Sequence, residues 1–155
     1  MKTYILIISL VLFFTGCKDG PREKGGPSER HAVFGQNPGA DLALDCYTYI
    51  KAKDTVQLQI TDLGEGVIAT LTYALDGKDR NTGILQGAVE GDKIFGEYTF
   101  MSEGVLSTRE VSFLIQDDRL IEGHGPLNGE GTAFVDRDQL VYTPNMPLTK
   151  TVCPH

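Results

Sequence analysis

The chain reads as all-β: an antiparallel up-and-down meander of eight or nine strands, closed into a small barrel. A two-sheet β-sandwich is the alternative arrangement. Three observations predict this. Beyond Cys46 the apolar residues recur with a period of two, the spacing of a half-buried strand and not of a helix. The runs are separated by short stretches of three to six residues rich in Gly, Asp and Asn. Such gaps suit hairpins, whereas a parallel crossover needs a dozen or more residues. A flat meander would also leave two open edges, and closing the sheet removes them.

The elements follow in order. "DCYTYI" (45–50) is the first candidate strand, although Leu42, Cys46 and Tyr49 are also spaced for a short helix. "TVQLQIT" (55–61) sets Val56, Leu58 and Ile60 against Gln57 and Gln59. "VIATLTYAL" (67–75) aligns Val67, Ala69, Leu71, Tyr73 and Leu75. "TGILQGAV" (82–89), "KIFGEYTFM" (93–101) and "STREVSFLI" (107–115) continue the alternation, and "LIEGHG" (120–125), "TAFV" (132–135) and "QLVY" (139–142) are the remaining candidates. "DLGEG", "DGKDRN", "EGD", "SEG" and "QDD" supply the turns between them. Gly83, Gly87 and Gly96 inside strands point to bends or to close backbone approach. A barrel of this size is lipocalin-like or streptavidin-like in shape.

The first forty residues have another character. Tyr4 to Phe14 is apolar except for Ser9 and the amphipathic Tyr4, and is too short for a spanning helix of about 20 residues. With Lys2 before it and small residues after it, this is signal-peptide anatomy over residues 1–16. Phe14-Thr15-Gly16-Cys17 resembles a bacterial lipobox, with Phe14 where Leu is usual. The resemblance implies lipidation of Cys17, cleavage before it and acylation of the new amine. Lys18-Asp19 resembles the surface-export signal of Bacteroidota lipoproteins, and no Asp follows Cys17 directly to retain the chain at an inner membrane. The expected address is the outer membrane of a Gram-negative bacterium, lipid-anchored and at the cell surface, with the periplasmic face as the alternative. Residues 17–40 are rich in Gly and Pro without apolar period, and read as a flexible tether reaching about 25–30 Å. Residues 41–155 form the β domain.

Charge and cysteine content narrow the function. The formal net charge is −7. Of 14 Lys and Arg only Lys2 lies within residues 1–16, so the processed chain carries −8. This argues against nucleic-acid binding, which depends on basic patches, and leaves contact with membrane to the acyl anchor. With Cys17 lipidated, Cys46 and Cys153 are the remaining thiols, and export to an oxidising compartment predicts a disulfide between them. In a closed meander the first and last strands are neighbours, which would bring these cysteines together. No Cys-x-x-Cys spacing supports zinc or thioredoxin chemistry.

The segments "CYTYIKAKDTVQLQI", "LTYALDGKDRNTG", "GDKIFGEYTFMSEG" and "REVSFL…LIEGHG", spanning about residues 46–125, resemble uncharacterised Bacteroidota outer-membrane lipoproteins. The resemblance implies a small barrel-like lipoprotein domain and no particular activity.

Catalytic signatures are missing: there is no Gly-x-Ser-x-Gly, His-Glu-x-x-His or P-loop. "GHGPLNG" (123–129) has the wrong spacing for a dinucleotide loop, and Pro126 opposes a following helix. No motif calls for a metal or cofactor. His31 falls in the tether, His155 is terminal, and His124 alone lies in a candidate strand. The informative residue is Arg109, which has the parity of Val111, Phe113 and Ile115 and so points inward near a barrel end. Tyr98 shares a face with Ile94 and Phe100, and Glu122 shares one with His124. An inward Arg requires a carboxylate, from Glu122, Glu103 or a ligand. An internal Arg–Glu pair would plug the barrel. Otherwise Arg109, Tyr98, Glu122 and His124 form a small-molecule site in the mouth.

The expected function is a monomeric, non-enzymatic binding or structural lipoprotein that takes a small-molecule or protein ligand. The first alternative is an inhibitor of a host or rival hydrolase such as lysozyme. "FMSEGVLS" (100–107) resembles the Ser-Gly loop of membrane-bound lysozyme inhibitors, interrupted by Glu103. The second is a hydrolase using paired carboxylates such as Glu97 and Glu110.

Overall fold

The computed structural model describes residues 42–153. Eight antiparallel strands follow one another around a closed barrel: β1 (Cys46–Lys51), β2 (Asp54–Asp62), β3 (Val67–Ala74), β4 (Asn81–Glu90), β5 (Lys93–Ser102), β6 (Val105–Gln116), β7 (Arg119–Glu122) and β8 (Leu148–Thr151). The last strand pairs with the first, so this is a barrel and not a two-sheet sandwich. The segment with helical spacing around Cys46 is β1, because its Tyr47 and Tyr49 face Leu58 and Val56 across the ladder.

Alternation decides which side chains fill the interior. Val56, Leu58, Ile60, Val67, Ala69, Leu71, Leu85, Ile94, Val111, Phe113 and Leu120 are all buried in one cluster. At about 25 cal/mol per Å² of apolar surface removed from water, this cluster is the main favourable contribution to folding. Tight turns keep the meander in register. Glu103 and Gly104 lie at φ 48 and 79, both left-handed, as a two-residue hairpin requires for its twist to match the strands. The strand glycines mark close approach: a Cβ on Gly83 would collide with the Thr99 carbonyl oxygen and with Phe100.

The two barrel ends differ. One end, the base, carries the β2–β3, β4–β5 and β6–β7 turns together with the first and last described residues, as strand order requires. Leu42 and Leu63 pack against the core there. Cys46 and Cys153 form a disulfide at this end, with Cα atoms 5.0 Å apart. The other end, the mouth, carries the β1–β2, β3–β4 and β5–β6 turns.

The wall is incomplete at the mouth. β7 pairs only with Phe113–Gln116 of β6, and β8 only with Cys46–Thr48 of β1. Residues 123–147 span the remaining gap. Here two sequence expectations are corrected. "TAFV" and "QLVY" are not ladder strands: Phe134 and Val141 make single bridges to Leu127 and His124, with a 3-10 turn at Arg137–Gln139 between them. Their apolar residues do not alternate against a neighbour, and Val135 and Val141 stay exposed. The eighth strand is instead "LTKT", in which only Leu148 is buried.

Segment 123–147 is strapped to the outer wall of β5 and β6. Glu110 Oε2 accepts from the Phe134 amide at 2.8 Å, and Glu110 Oε1 accepts from Arg137 Nε at 2.7 Å. The Arg137 guanidinium lies 4.8 Å from the Phe95 ring centroid. The Tyr142 and Ser112 hydroxyls are hydrogen-bonded at 2.7 Å.

Candidate functional site: the barrel mouth

Arg109 is the inward residue of β6 one step above Val111, placed directly opposite Tyr98 of β5. Its aliphatic stem continues the core while its head reaches the mouth, as long cationic side chains commonly do. The guanidinium carbon lies 5.3, 5.9 and 5.7 Å from the ring centroids of Tyr73, Tyr98 and Phe100. Tyr98 and Phe100 stack at 4.7 Å, and Tyr73 meets Tyr98 edge-on at 5.9 Å. Three rings therefore cradle one cation, each contact contributing about 0.5–1 kcal/mol or somewhat more where water is excluded.

The phenols are held in place and kept protonated. Tyr98 donates to the Leu71 carbonyl at 3.0 Å, and burial pushes its pKa up to about 12. Tyr73 donates to Glu122 Oε1 at 2.8 Å. Burial, reinforced by the Glu122 charge and opposed by Arg109, raises Tyr73 well above the ordinary phenol value. Across the physiological range Tyr73 is thus a donor and Glu122 Oε1 is occupied.

Arg109 is not neutralised by the barrel. Among the described residues it forms no ion pair, and its Nε is buried without a hydrogen-bond partner. The internal Arg–Glu plug is therefore not formed, because Glu122 turns to Tyr73. Glu103 sits in the exposed β5–β6 turn and makes no such pair either. Above Arg109 lies a cavity of about 450 Å³, bordered also by Tyr73, Asn81, Glu122, His124 and Met146. A smaller recess of about 100 Å³ opens beside it between β6 and segment 123–134, again bordered by Arg109, Glu122 and His124.

Arg109, Glu122 and His124 thus border one cavity, with Tyr98 beneath Arg109. His124 is exposed on the rim. Tyr73 and Asn81 join them. Tyr73 had the inward parity of Leu71 and could have been named from sequence. Asn81 sits where turn chemistry hid the start of β4, although it faces Tyr73 in the ladder. Glu97 and Glu110 do stand opposite one another, but on the outer wall, where Glu110 holds the strap. No group of three or more His, Cys, Asp or Glu among the described residues is placed to hold a metal ion. Cys17, Lys18, Asp19, His31 and His155 lie outside the described residues.

No family model matches the chain, and no curated protein or solved structure matches it significantly.

Proposed function

We propose that the protein is a lipid-anchored envelope lipoprotein that binds a small organic anion in its barrel mouth and catalyses no reaction. The observation that carries this reading is Arg109: a cation on a bed of three rings, unpaired within the barrel, at the floor of a cavity of about 450 Å³. That volume falls within the range of small-molecule sites, about 300–1,000 Å³. The guanidinium fork suits a carboxylate. Orientation supports the same reading. The described chain enters the barrel at its base, the end opposite the mouth. Lys18 and Asp19 then direct the anchored domain to the cell surface.

Arg109→Met tests this. The substitution removes three cation–π contacts of about 0.5–1 kcal/mol each. It also removes a buried, unpartnered donor that costs about 1–3 kcal/mol. The two effects oppose one another, so thermal unfolding should show a change within about 2 kcal/mol, while titration calorimetry shows loss of carboxylate binding. A purely structural Arg109 would give the reverse, a large destabilisation with nothing bound by the wild type.

A second reading, an inhibitor of a basic hydrolase, is favoured by one observation. The β5–β6 hairpin exposes Met101, Val105 and Leu106 at 48, 63 and 67% of their surface, on an acidic protein. Retention of the chain on immobilised lysozyme, abolished by Leu106→Asp, would support that reading.

A further inference from the structure

Two buried side-chain atoms among the described residues lack a hydrogen-bond partner: Arg109 Nε and Asn81 Oδ1. Both residues border the same cavity. Buried polar groups are almost always paired, so two exceptions at one site call for a common explanation. Their chemistry is opposite, since one is a donor and the other an acceptor. An anion alone answers Arg109 and leaves Asn81 unmatched.

We infer that the occupant is a carboxylate bearing its own hydrogen-bond donor, a hydroxy acid or an amino acid, with the carboxylate on Arg109 and the donor on Asn81. This rests on the anion-binding reading of the mouth and adds the second contact. Ladder geometry supports the arrangement. Asn81 is the cross-strand partner of Tyr73, and Tyr73 is hydrogen-bonded to Glu122. The donor-seeking amide and the Glu122 carboxylate therefore border one cavity, and a hydroxyl or ammonium group bound there meets favourable potential. Tyr73, Leu75 and Met146 give the cavity an apolar side, next to the polar Lys78, Asp79 and Ser102, and that apolar side suits a ligand with a hydrocarbon or aromatic substituent.

Four compounds sharing a phenylethyl body separate the contacts. 3-Phenylpropionate carries the carboxylate alone, 3-phenyllactate adds a hydroxyl, phenylalanine adds an ammonium group, and phenethylamine has the donor without the acid. Each is titrated calorimetrically into the full chain purified in detergent. Phenyllactate and phenylalanine should bind at least about tenfold more tightly than phenylpropionate, the discrimination expected when a buried acceptor is otherwise left unpaired. Phenethylamine should not bind. Asn81→Leu should erase the tenfold difference while preserving phenylpropionate binding. Asn81→Asp, which offers acceptors only, should keep it and so guards against misreading a folding defect. Equal binding of the three acids would overturn this inference and leave the anion reading standing. Binding of phenethylamine alone, or of none of the four, would overturn both.

Discussion

Cutting the Cys46–Cys153 bond measures how firmly the barrel closes. The seam it guards is short: β8 meets β7 through two residue pairs and β1 through three, and Cys46 is itself the cross-strand partner of Thr151. The bond joins residues 107 apart. In the chain-entropy account a loop of that length stabilises the folded state by about 4.8 kcal/mol at 25 °C. Small domains have about 5–15 kcal/mol in total, so the staple accounts for a third of the stability or more. Cys153→Ser is the informative substitution. Cys46→Ser would place a hydroxyl at a site with no exposure and add its own burial cost. Urea unfolding followed by far-ultraviolet circular dichroism should show a loss of about 3–5 kcal/mol. The denaturant dependence should steepen, because the uncrosslinked unfolded chain exposes more surface. Amide exchange should accelerate first at Thr149 and Thr151, before the β2–β5 ladders. A loss below about 1 kcal/mol with unchanged exchange in β8 would refute the reasoning and show that five residue pairs hold the seam unaided.

Three other outcomes are expected. Tyr98 has a folded pKa raised to about 12 from 10.0, so its contribution is intact below pH 10 and falls as pH rises toward 12, by about 2–3 kcal/mol. Tyr98→Phe should flatten that part of an alkaline stability profile while costing about 1–2 kcal/mol at neutral pH through the lost bond to Leu71. Glu110→Gln weakens the strap at an ion pair whose Arg137 side is half exposed and whose Glu110 side is 12% exposed, and the isosteric amide still accepts from the Phe134 amide, so global stability should change by only about 1 kcal/mol. Trypsin cleavage at Arg137 should nonetheless become several-fold faster, and an unchanged rate would detach Glu110 from that role. Cys17→Ser should move the protein from the membrane to the soluble or uncleaved fraction. A correctly cleaved mutant that still sediments with membranes would rule out lipidation at this residue.

Wherever one face of a strand is buried, the architecture was legible. The pattern Val56-Leu58-Ile60 and the parity linking Arg109 to Val111 and Phe113 follow from a period of two, and closure follows from the need to hide edges. β8 was not legible because four residues with one buried side chain contain no alternation to read. "TAFV" misled because Phe134 makes a single bridge to Leu127 and gives its amide to Glu110 on the outer wall, instead of joining a ladder. Within the site, Arg109, Tyr98, Glu122 and His124 could be nominated by parity. Asn81 could not, since a Gly/Asp-rich turn masks where a strand begins. The partner of Glu122 also depended on register across the barrel, from Tyr73 on β3 to β7, which no local pattern encodes.

The missing upper wall also decides what Arg109 and Glu110, neighbours in sequence, each meet. β7 ends before reaching them, so the upper half of β6 is bordered by segment 123–147 instead of a strand. Successive residues point to opposite faces. Glu110 therefore faces outward and ties down the segment through Phe134 and Arg137, while Arg109 faces inward to the cavity. A slip of β6 by one residue would exchange them, placing a carboxylate among the rings of Tyr73, Tyr98 and Phe100 and a guanidinium against Arg137. Both exchanges are unfavourable, the first by burying an unpaired anion and the second by setting two cations together. The β5 ladder sets the register of β6 through this stretch, and the outer pair reinforces it on the side where β7 is absent, so that Arg109 points into the barrel.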